Sequence, residues 1–250
     1  LKEINETIVT PRKTVIEDEI EDIVIDRMSM VPNETCYISL SHDGYLKRFS
    51  KRVFDANLAS LPYTKDGDYL IGVKKCETLD TLLIFTTRGH YAYVPVYKID
   101  ECKFKEVGKH VSQYVKMEGQ EKIVAAIDVK RFDTFAFVLT LSRNGMIKKT
   151  LLSRFNVDRA NKSFVAMKLR EDDELVSALL AYQGDEAVVV SKDGRYNKYS
   201  VDILSDLATK ALGVGAINVK GDECAGLAVN HGDGNEILLT SEKGGFKRIH

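Results

Sequence analysis

One feature constrains this chain more than any other: it repeats itself five times. The segments CYISLSHDGYLKRFS (36–50), TLLIFTTRGHYAYVP (81–95), FVLTLSRNGMIKKTL (137–151), EAVVVSKDGRYNKYS (186–200) and EILLTSEKGGFKRIH (236–250) align on Gly44, Gly89, Gly145, Gly194 and Gly244. Three residues before each glycine stands a hydroxyl: Ser41, Thr86, Ser142, Ser191 and Ser241. Two residues after it stands an apolar or aromatic side chain: Leu46, Tyr91, Ile147, Tyr196 and Phe246. The glycine spacings are 45, 56, 49 and 50 residues. A period in this range points to a repeat architecture in which each unit buries its apolar faces only against its neighbours.

Each unit reads as a β-hairpin. Asp43-Gly44, Asn144-Gly145 and Asp193-Gly194 predict tight two-residue turns that accept positive φ, with Arg88-Gly89 and Lys243-Gly244 as weaker versions. The Ser or Thr before the turn can bond its backbone. Two further strand-like runs recur per unit. One precedes each hairpin: Ile20–Ile25, Tyr69–Val73, Ile123–Val129, Leu175–Ala181 and Cys224–Val229. The other precedes four of those: Ile8–Ile16, Val111–Met117, Phe164–Leu169 and Gly215–Val219. Short helical turns fit only Ser50–Leu61 and Val201–Thr209. Four strands per ~50-residue unit predict an all-β, propeller-like disc of about five or six four-stranded blades. Four prolines and no Gly/Ser linker predict one domain.

The total charge, 36 basic against 37 acidic residues, hides a segregation. Residues 1–33 hold 4 basic and 8 acidic side chains, leaving 32 and 29 for the rest, so −4 is followed by +3. In the ten residues after each turn glycine, six after the last, 4, 1, 3, 2 and 2 basic residues stand against a single acid, Asp202. Equivalent hairpins point to equivalent places on a disc, so these side chains predict a basic rim. The candidate DNA-binding residues are Lys47, Arg48, Lys51, Arg52, Lys148, Lys149, Arg154, Arg195, Lys198, Lys247 and Arg248. Such a rim would engage duplex phosphates without reading sequence and would bend the duplex around it. Tyr45, Tyr196, Tyr199 and Phe246 interleave with the basic residues and are expected in the core. Exposed edge strands also carry Lys and Arg to block aggregation, so the pattern alone leaves both readings open. The second hairpin departs from it, with Tyr91, Tyr93 and Tyr97 and only Lys98 basic. A protein-interaction platform anchored on those aromatics is the reading from a different class.

Other chemistries find little support. The histidines show neither H-x-x-x-H nor H-E-x-x-H spacing, and no C-x-x-C pair occurs among Cys36, Cys76, Cys102 and Cys224. No phosphate loop of the G-x-x-x-x-G-K-[ST] type is present, and no nucleophile–base arrangement stands out. The expectation is a chain with no catalytic residues and no metal site. No apolar run reaches the ~18–20 residues of a membrane span, and Leu1–Asn5 lacks a signal-peptide pattern, so a cytosolic chain with reduced thiols is expected.

The hairpin SLSHDGYLKRFSKRVF (39–54), the element Pro11-Arg12-Lys13-Thr14, and the stretches KEVGKHVSQYV (105–115) and LGVGAINVKGDE (212–223) carry a resemblance. Together they resemble the C-terminal domains of the A subunits of bacterial type IIA DNA topoisomerases, over essentially the whole chain. Gyrase A subunits carry a Q-R-R-G-G-K-G box after the first basic hairpin. Residues 50–67 here read SKRVFDANLASLPYTKDG and have none. The chain is therefore more similar to the topoisomerase IV branch, the ParC type in its Gram-positive form, with a gyrase A domain lacking the box as the alternative. The resemblance implies a β-pinwheel over residues 19–250, joined through residues 1–18 to a catalytic core. It implies a non-catalytic domain that binds and bends duplex DNA and biases the holoenzyme toward decatenation and relaxation in chromosome segregation. The active-site tyrosine, the metal-binding acids and the ATPase would lie elsewhere, so this chain needs no cofactor, while the holoenzyme would use ATP and Mg2+. The implied partners are duplex DNA and, through the holoenzyme, the B subunit of topoisomerase IV. No membrane contact is implied, the isolated domain is expected to be monomeric, and the location is cytoplasmic and nucleoid-associated.

Overall fold

All five repeat glycines close hairpin turns, but not the two-residue turns expected. In each repeat the glycine N–H donates to the carbonyl three residues back: Gly44 to Ser41, Gly89 to Thr86, Gly145 to Ser142, Gly194 to Ser191 and Gly244 to Ser241. Only the glycine adopts positive φ, from 73° to 96°, while Asp43, Asn144 and Asp193 do not. The loop is thus three residues long, a four-residue turn whose last residue is a bulged glycine. That explains why Arg88 and Lys243 are accepted before the glycine. The repeat hydroxyl completes the turn: Ser41, Thr86, Ser142, Ser191 and Ser241 each accept a hydrogen bond from the backbone N–H four residues on.

The computed structural model describes residues 30–117, 119–158, 161–232 and 236–249. The expectations for residues 1–18, Ile8–Ile16 and Ile20–Ile25 lie outside the described residues. In chain order the elements are β1 (Thr35–Ser41), β2 (Tyr45–Ser50), α1 (Lys51–Asp55), β3 (Leu70–Glu77), β4 (Thr81–Thr86), β5 (His90–Pro95), β6 (Lys109–His110), β7 (Ile123–Val129), β8 (Phe137–Ser142) and β9 (Met146–Leu151). There follow β10 (Phe164–Val165), β11 (Leu175–Ala181), β12 (Glu186–Ser191), β13 (Tyr196–Ser200), β14 (Val214–Gly215), β15 (Cys224–Asn230), β16 (Ile237–Thr240) and β17 (Phe246–Ile249). The helical turns are short: α1, and 3-10 turns that include Val111–Gln113 and Val201–Ile203.

The sheets are β3-β1-β2-β6, β10-β5-β4-β7, β11-β8-β9-β14, β13-β12-β15 and β16-β17. Where partners are described, each hairpin sits inside its blade and takes its outer partners from downstream. The long strand after a hairpin pairs back onto its first strand, as Cys36↔Cys76 and Leu83↔Ile127 show. The short fourth strand arrives only after the next hairpin has been made: His110 reaches back to Tyr45, Phe164 to Tyr91 and Val214 to Ile147. Among the described residues, the runs Tyr69–Val73 (from Leu70), Ile123–Val129, Leu175–Ala181 and Cys224–Val229 are strands, whereas Phe164–Leu169 is strand only at Phe164–Val165, Gly215–Val219 only at Gly215, and Val111–Met117 yields its strand place to Lys109–His110. The long strands β3, β7, β11 and β15 contact their successors and line the inside of the array, so the short strands and their delivering loops lie on its outer side.

Blade packing follows from period-two alternation with both faces buried. All six residues of β4 are buried. Leu82 and Ile84 join a core with Ile38, Leu40 and Leu46 of the preceding blade. Leu83 and Phe85 join the next core with Val138, Leu152 and Phe155. A third core holds Leu139, Leu141 and Ile147 against Ala187, Val189 and Val201. This is sheet-on-sheet packing repeated around an arc. Fully burying each such side chain contributes roughly 1.5–3 kcal/mol.

The repeat glycine also has a second task. Gly44, Gly89 and Gly145 each offer their carbonyl to the returning segment, accepting from Val111, Ala166 and Ala216 at 2.8 Å. A Cβ on Gly89 would lie 2.4 Å from the Met167 carbonyl oxygen, and one on Gly145 would lie 2.6 Å from that of Ile217. Gly194 and Gly244, in the blades with fewer strands among the described residues, have nothing within 4 Å.

Candidate nucleic-acid interface

The basic residues after the turns divide into two populations. Lys47 and Lys148, each three residues past its turn glycine, are fully buried. The Lys47 ammonium donates to the carbonyls of Tyr63 (2.7 Å), Phe104 (3.0 Å) and Glu106 (2.6 Å). The Lys148 ammonium donates to those of Ala166, Ala208 (3.2 Å) and Thr209 (2.6 Å). In both blades these carbonyls belong chiefly to the loop that delivers a fourth strand, so the lysine holds that crossing loop down. Burial lowers the Lys47 pKa, and burial together with the nearby Arg154 charge pulls Lys148 down to about 7. Lys149 is also buried, donating to the Val201 carbonyl at 3.0 Å with its ammonium 4.9 Å from the Phe137 ring centre. These three ammonium groups are not presented at a surface, which corrects their assignment to a basic rim. The second blade carries Ala92 at the place equivalent to Lys47, and the fourth carries Asn197, which donates to the Ala216 carbonyl at 2.9 Å.

The remaining eight sites reach the surface. Arg48 is half-buried and its Nε donates to the Ile99 carbonyl at 3.0 Å. Lys51 pairs with Asp55 one helical turn away, and Arg52 beside it is exposed with no ion pair among the described residues. Arg154 pairs with Asp206 (2.6 Å), Arg195 with Asp222 (3.3 Å), Lys198 with Glu186 (2.8 Å) and Arg248 with Glu236 (3.0 Å). Lys247 lies over the Tyr196 ring at 5.5 Å. The pairs of Arg154, Lys198 and Arg248 are exposed on both sides and worth about 0–1 kcal/mol each, so a phosphate can replace the carboxylate at little cost, whereas Asp222 beside Arg195 is buried.

The outer loops supply cations that were not among the candidates, of which only Lys98 falls in a window after a turn glycine. Lys98, Lys103, Lys105, Lys116, Lys162 and Lys210 are exposed and without an ion pair among the described residues. They lie in irregular segments between a hairpin and its outgoing strand, where neither period nor spacing marks them. Counting position after the glycine selected residues on β2 and β9 whose outer side is roofed by these same loops.

The aromatics also sort differently. Tyr91 is buried, with its pKa raised to about 12 by burial. Tyr93 stacks on Phe132 at 5.6 Å. Tyr45 and Tyr199 are partly buried, as expected for core, whereas Tyr196 (45% exposed) and Phe246 (72%) are not. Both lie in the blades with fewer strands, so no short strand covers them among the described residues.

One repeat element carries no mark in the hairpin pattern. Asp68, Asp173 and Asp222 each accept two backbone N–H bonds, one from the preceding hairpin turn (Asp43, Asn144 and Asp193) and one from their own successor. The second repeat uses Glu121 instead, which is buried against Thr86 and His90. An acid standing just before each inner strand was the available signal. Among the described residues no group of three His, Cys, Asp or Glu side chains is placed to hold a metal, and no helix is long and apolar enough to cross a membrane.

Residues 80–130 and 136–181 match the family model described as DNA gyrase C-terminal domain, beta-propeller. The whole chain aligns at 36% identity over 249 residues with the DNA topoisomerase 4 A subunit of Staphylococcus aureus, covering 31% of that protein. The chain belongs to the family of gyrase A and topoisomerase IV ParC-type C-terminal domains. A solved C-terminal domain of DNA topoisomerase IV superposes with a TM-score of 0.75 at 28% identity, over 88% of this chain and 68% of that one. A DNA gyrase A C-terminal domain (TM-score 0.66, 21% identity, 86% and 71% covered) shares the fold. So does the E. coli ParC C-terminal domain (0.62, 16%, 78% and 79%). The blades are thus those of the gyrase and ParC pinwheel, and the chain spans about a third of the length of the curated relatives it matches.

Proposed function

We propose that this topoisomerase IV-type C-terminal domain binds duplex DNA along its outer side and bends it, and so tunes which DNA topologies the holoenzyme acts on. The observation that carries the reading is the set of exposed cations, without ion pairs among the described residues, on α1 and the loops that follow successive hairpins: Arg52, Lys98, Lys103, Lys105, Lys116, Lys162 and Lys210. Arg154 and Lys198 extend it through weak, exchangeable ion pairs, and Arg195 is exposed beside the buried Asp222. Lysines so placed neutralise phosphates without reading bases, and their curvature favours a bent duplex. The absence of the gyrase box from residues 50–67 and the likeness to the topoisomerase 4 relative favour decatenation and relaxation over gyrase-type supercoiling. Strand cleavage, ATP and Mg2+ use and contact with the B subunit fall in this reading to the rest of the holoenzyme.

The test is duplex binding measured against salt, with ligation of nicked circles in the presence of the chain. Affinity should fall linearly in log–log form, with a slope near −0.9 for each phosphate neutralised, and at equal strength on unrelated sequences. Ligated circles should retain a shifted linking number. Salt-insensitive binding, or none at low salt, would overturn the proposal and favour the protein-interaction platform.

A further inference from the structure

Among the described residues the outer loops are tied down by three isolated β-bridges, all parallel: Arg48↔Glu101, Lys149↔Asp206 and Lys116↔Lys162. In the first two a basic residue stands beside an acidic one. In the third, lysine stands beside lysine. Bridge partners lie about 4.8 Å apart and share a face, and like charges placed directly opposite are destabilising.

The backbone leaves this pair no freedom to separate. The Lys116 N–H donates to the Asn161 carbonyl and the Ser163 N–H to the Lys116 carbonyl, both at 3.0 Å, so two successive outer loops are zipped together here. Each loop is rooted in the interior. Val115, beside Lys116, is buried in the first core with Leu46 and Val111. Phe164, two residues past Lys162, packs on the buried Tyr91 with ring centres 5.6 Å apart, and the Lys162 ammonium lies 5.8 Å from the Phe164 ring centre. Lys116 and Lys162 are both exposed and have no ion pair among the described residues. The next junction is similar. The Lys168 N–H donates to the Ala211 carbonyl at 3.0 Å, which sets Lys168 alongside the loop of Lys210, and both lysines are exposed without an ion pair among the described residues. A surface that matches opposite charges at two bridges and holds two cations together at the third is arranged for an anion from outside the chain.

We propose that Lys116 and Lys162 form a clamp in which both ammonium groups take the same phosphate of a bound duplex. A phosphodiester offers two non-bridging oxygens, one for each ammonium. Lysine suits the task because its ammonium is a compact point charge on a flexible stem, so two can converge on one group. The clamp rests on the DNA-binding reading and gives it a fixed point: the duplex is held where two loops meet, and the repulsion between the lysines is relieved when the phosphate arrives.

Two measurements on the whole chain test it: duplex affinity against salt by fluorescence anisotropy, and thermal unfolding without DNA. If the lysines share one phosphate, Lys116→Ala combined with Lys162→Ala should reduce the log–log salt slope by about 0.9, whereas two separate contacts would reduce it by about 1.8. Each single change should already lose most of the affinity that the double change loses. Lys116→Glu puts opposite charges in this bridge, as in the other two. It should raise the unfolding midpoint by about 1–3 °C at low salt, with the gain fading at high salt, and yet weaken duplex binding about tenfold. A loss of two phosphates in the double variant, additive single effects, or a Lys116→Glu variant with unchanged affinity or no gain in midpoint would overturn the clamp and leave the DNA-binding reading standing. No duplex binding by the unaltered chain at low salt would bring down that reading, and the clamp with it.

Discussion

Lys148→Met is the most informative single change, because it separates the structural lysines from the DNA-binding ones. Methionine keeps most of the side-chain stem and removes the ammonium, leaving the carbonyls of Ala166, Ala208 and Thr209 without their donor. Each buried carbonyl left without its donor costs about 1–3 kcal/mol. Methionine offsets most of this by also removing an ammonium whose burial pulls its pKa down to about 7, so that the side chain is only half charged at neutral pH. The expected balance is a loss of about 1–2 kcal/mol, equivalent to a fall of roughly 2–8 °C in Tm for a chain of this size. Urea denaturation followed by circular dichroism reads the loss of stability, and fluorescence anisotropy with a labelled duplex at several salt concentrations reads DNA affinity. The variant should lose stability, while the folded protein keeps the parent's affinity and salt slope. Unchanged stability together with a slope reduced by about one phosphate would show that Lys148 reaches DNA, and the roofed-lysine argument would fail.

The same lysine makes a pH prediction. Between pH 7 and about 10 the unfolded chain binds the Lys148 proton and the folded chain releases it, so stability relative to Lys148→Met should rise with pH by at most ~1.4 kcal/mol per unit. Below pH 7 both states hold the proton and the difference levels off; denaturation at pH 6.5, 7.5 and 8.5 checks it. A flat difference across all three would mean that the three carbonyls hold the ammonium charged. Replacing Arg52, Lys98 and Lys103 with Glu should weaken every duplex alike and flatten the salt slope by about three phosphates, with no change in unfolding midpoint. Gly89→Ala combines a φ of 73° with a Cβ placed 2.4 Å from the Met167 oxygen, whereas Gly194→Ala has φ 81° and open space. The first should cost well over 2 kcal/mol and the second about 1 kcal/mol, measured by thermal unfolding; equal costs would refute the docking role of the turn glycine.

The local units were legible from the residues alone. Period-two apolar runs, a glycine every ~50 residues and a hydroxyl three positions earlier are short-range signals, and hairpins are short-range objects. The inner strands were legible for the same reason, because a run such as Leu175–Ala181 is apolar on both faces. Even the turn type was within reach, since Arg88 and Lys243 before the glycine are awkward in a two-residue turn and ordinary in the three-residue one observed.

What the residues could not disclose was who pairs with whom, and which lysines see water. The fourth strand of a blade is two residues long and comes from beyond the next hairpin. So short a strand has no periodicity, and its register depends on a glycine carbonyl far back in the chain. A Lys-Arg or Lys-Lys pair after a turn looks the same whether a loop covers it or not. Lys47 and Lys148 became interior fasteners only because the returning loops and their neighbours laid three carbonyls over each, while Arg52 and Lys98 remained outside. The amount of charge is written locally. Its exposure is set by contacts between residues some sixty positions apart, such as Lys47 with Glu106 and Lys148 with Thr209.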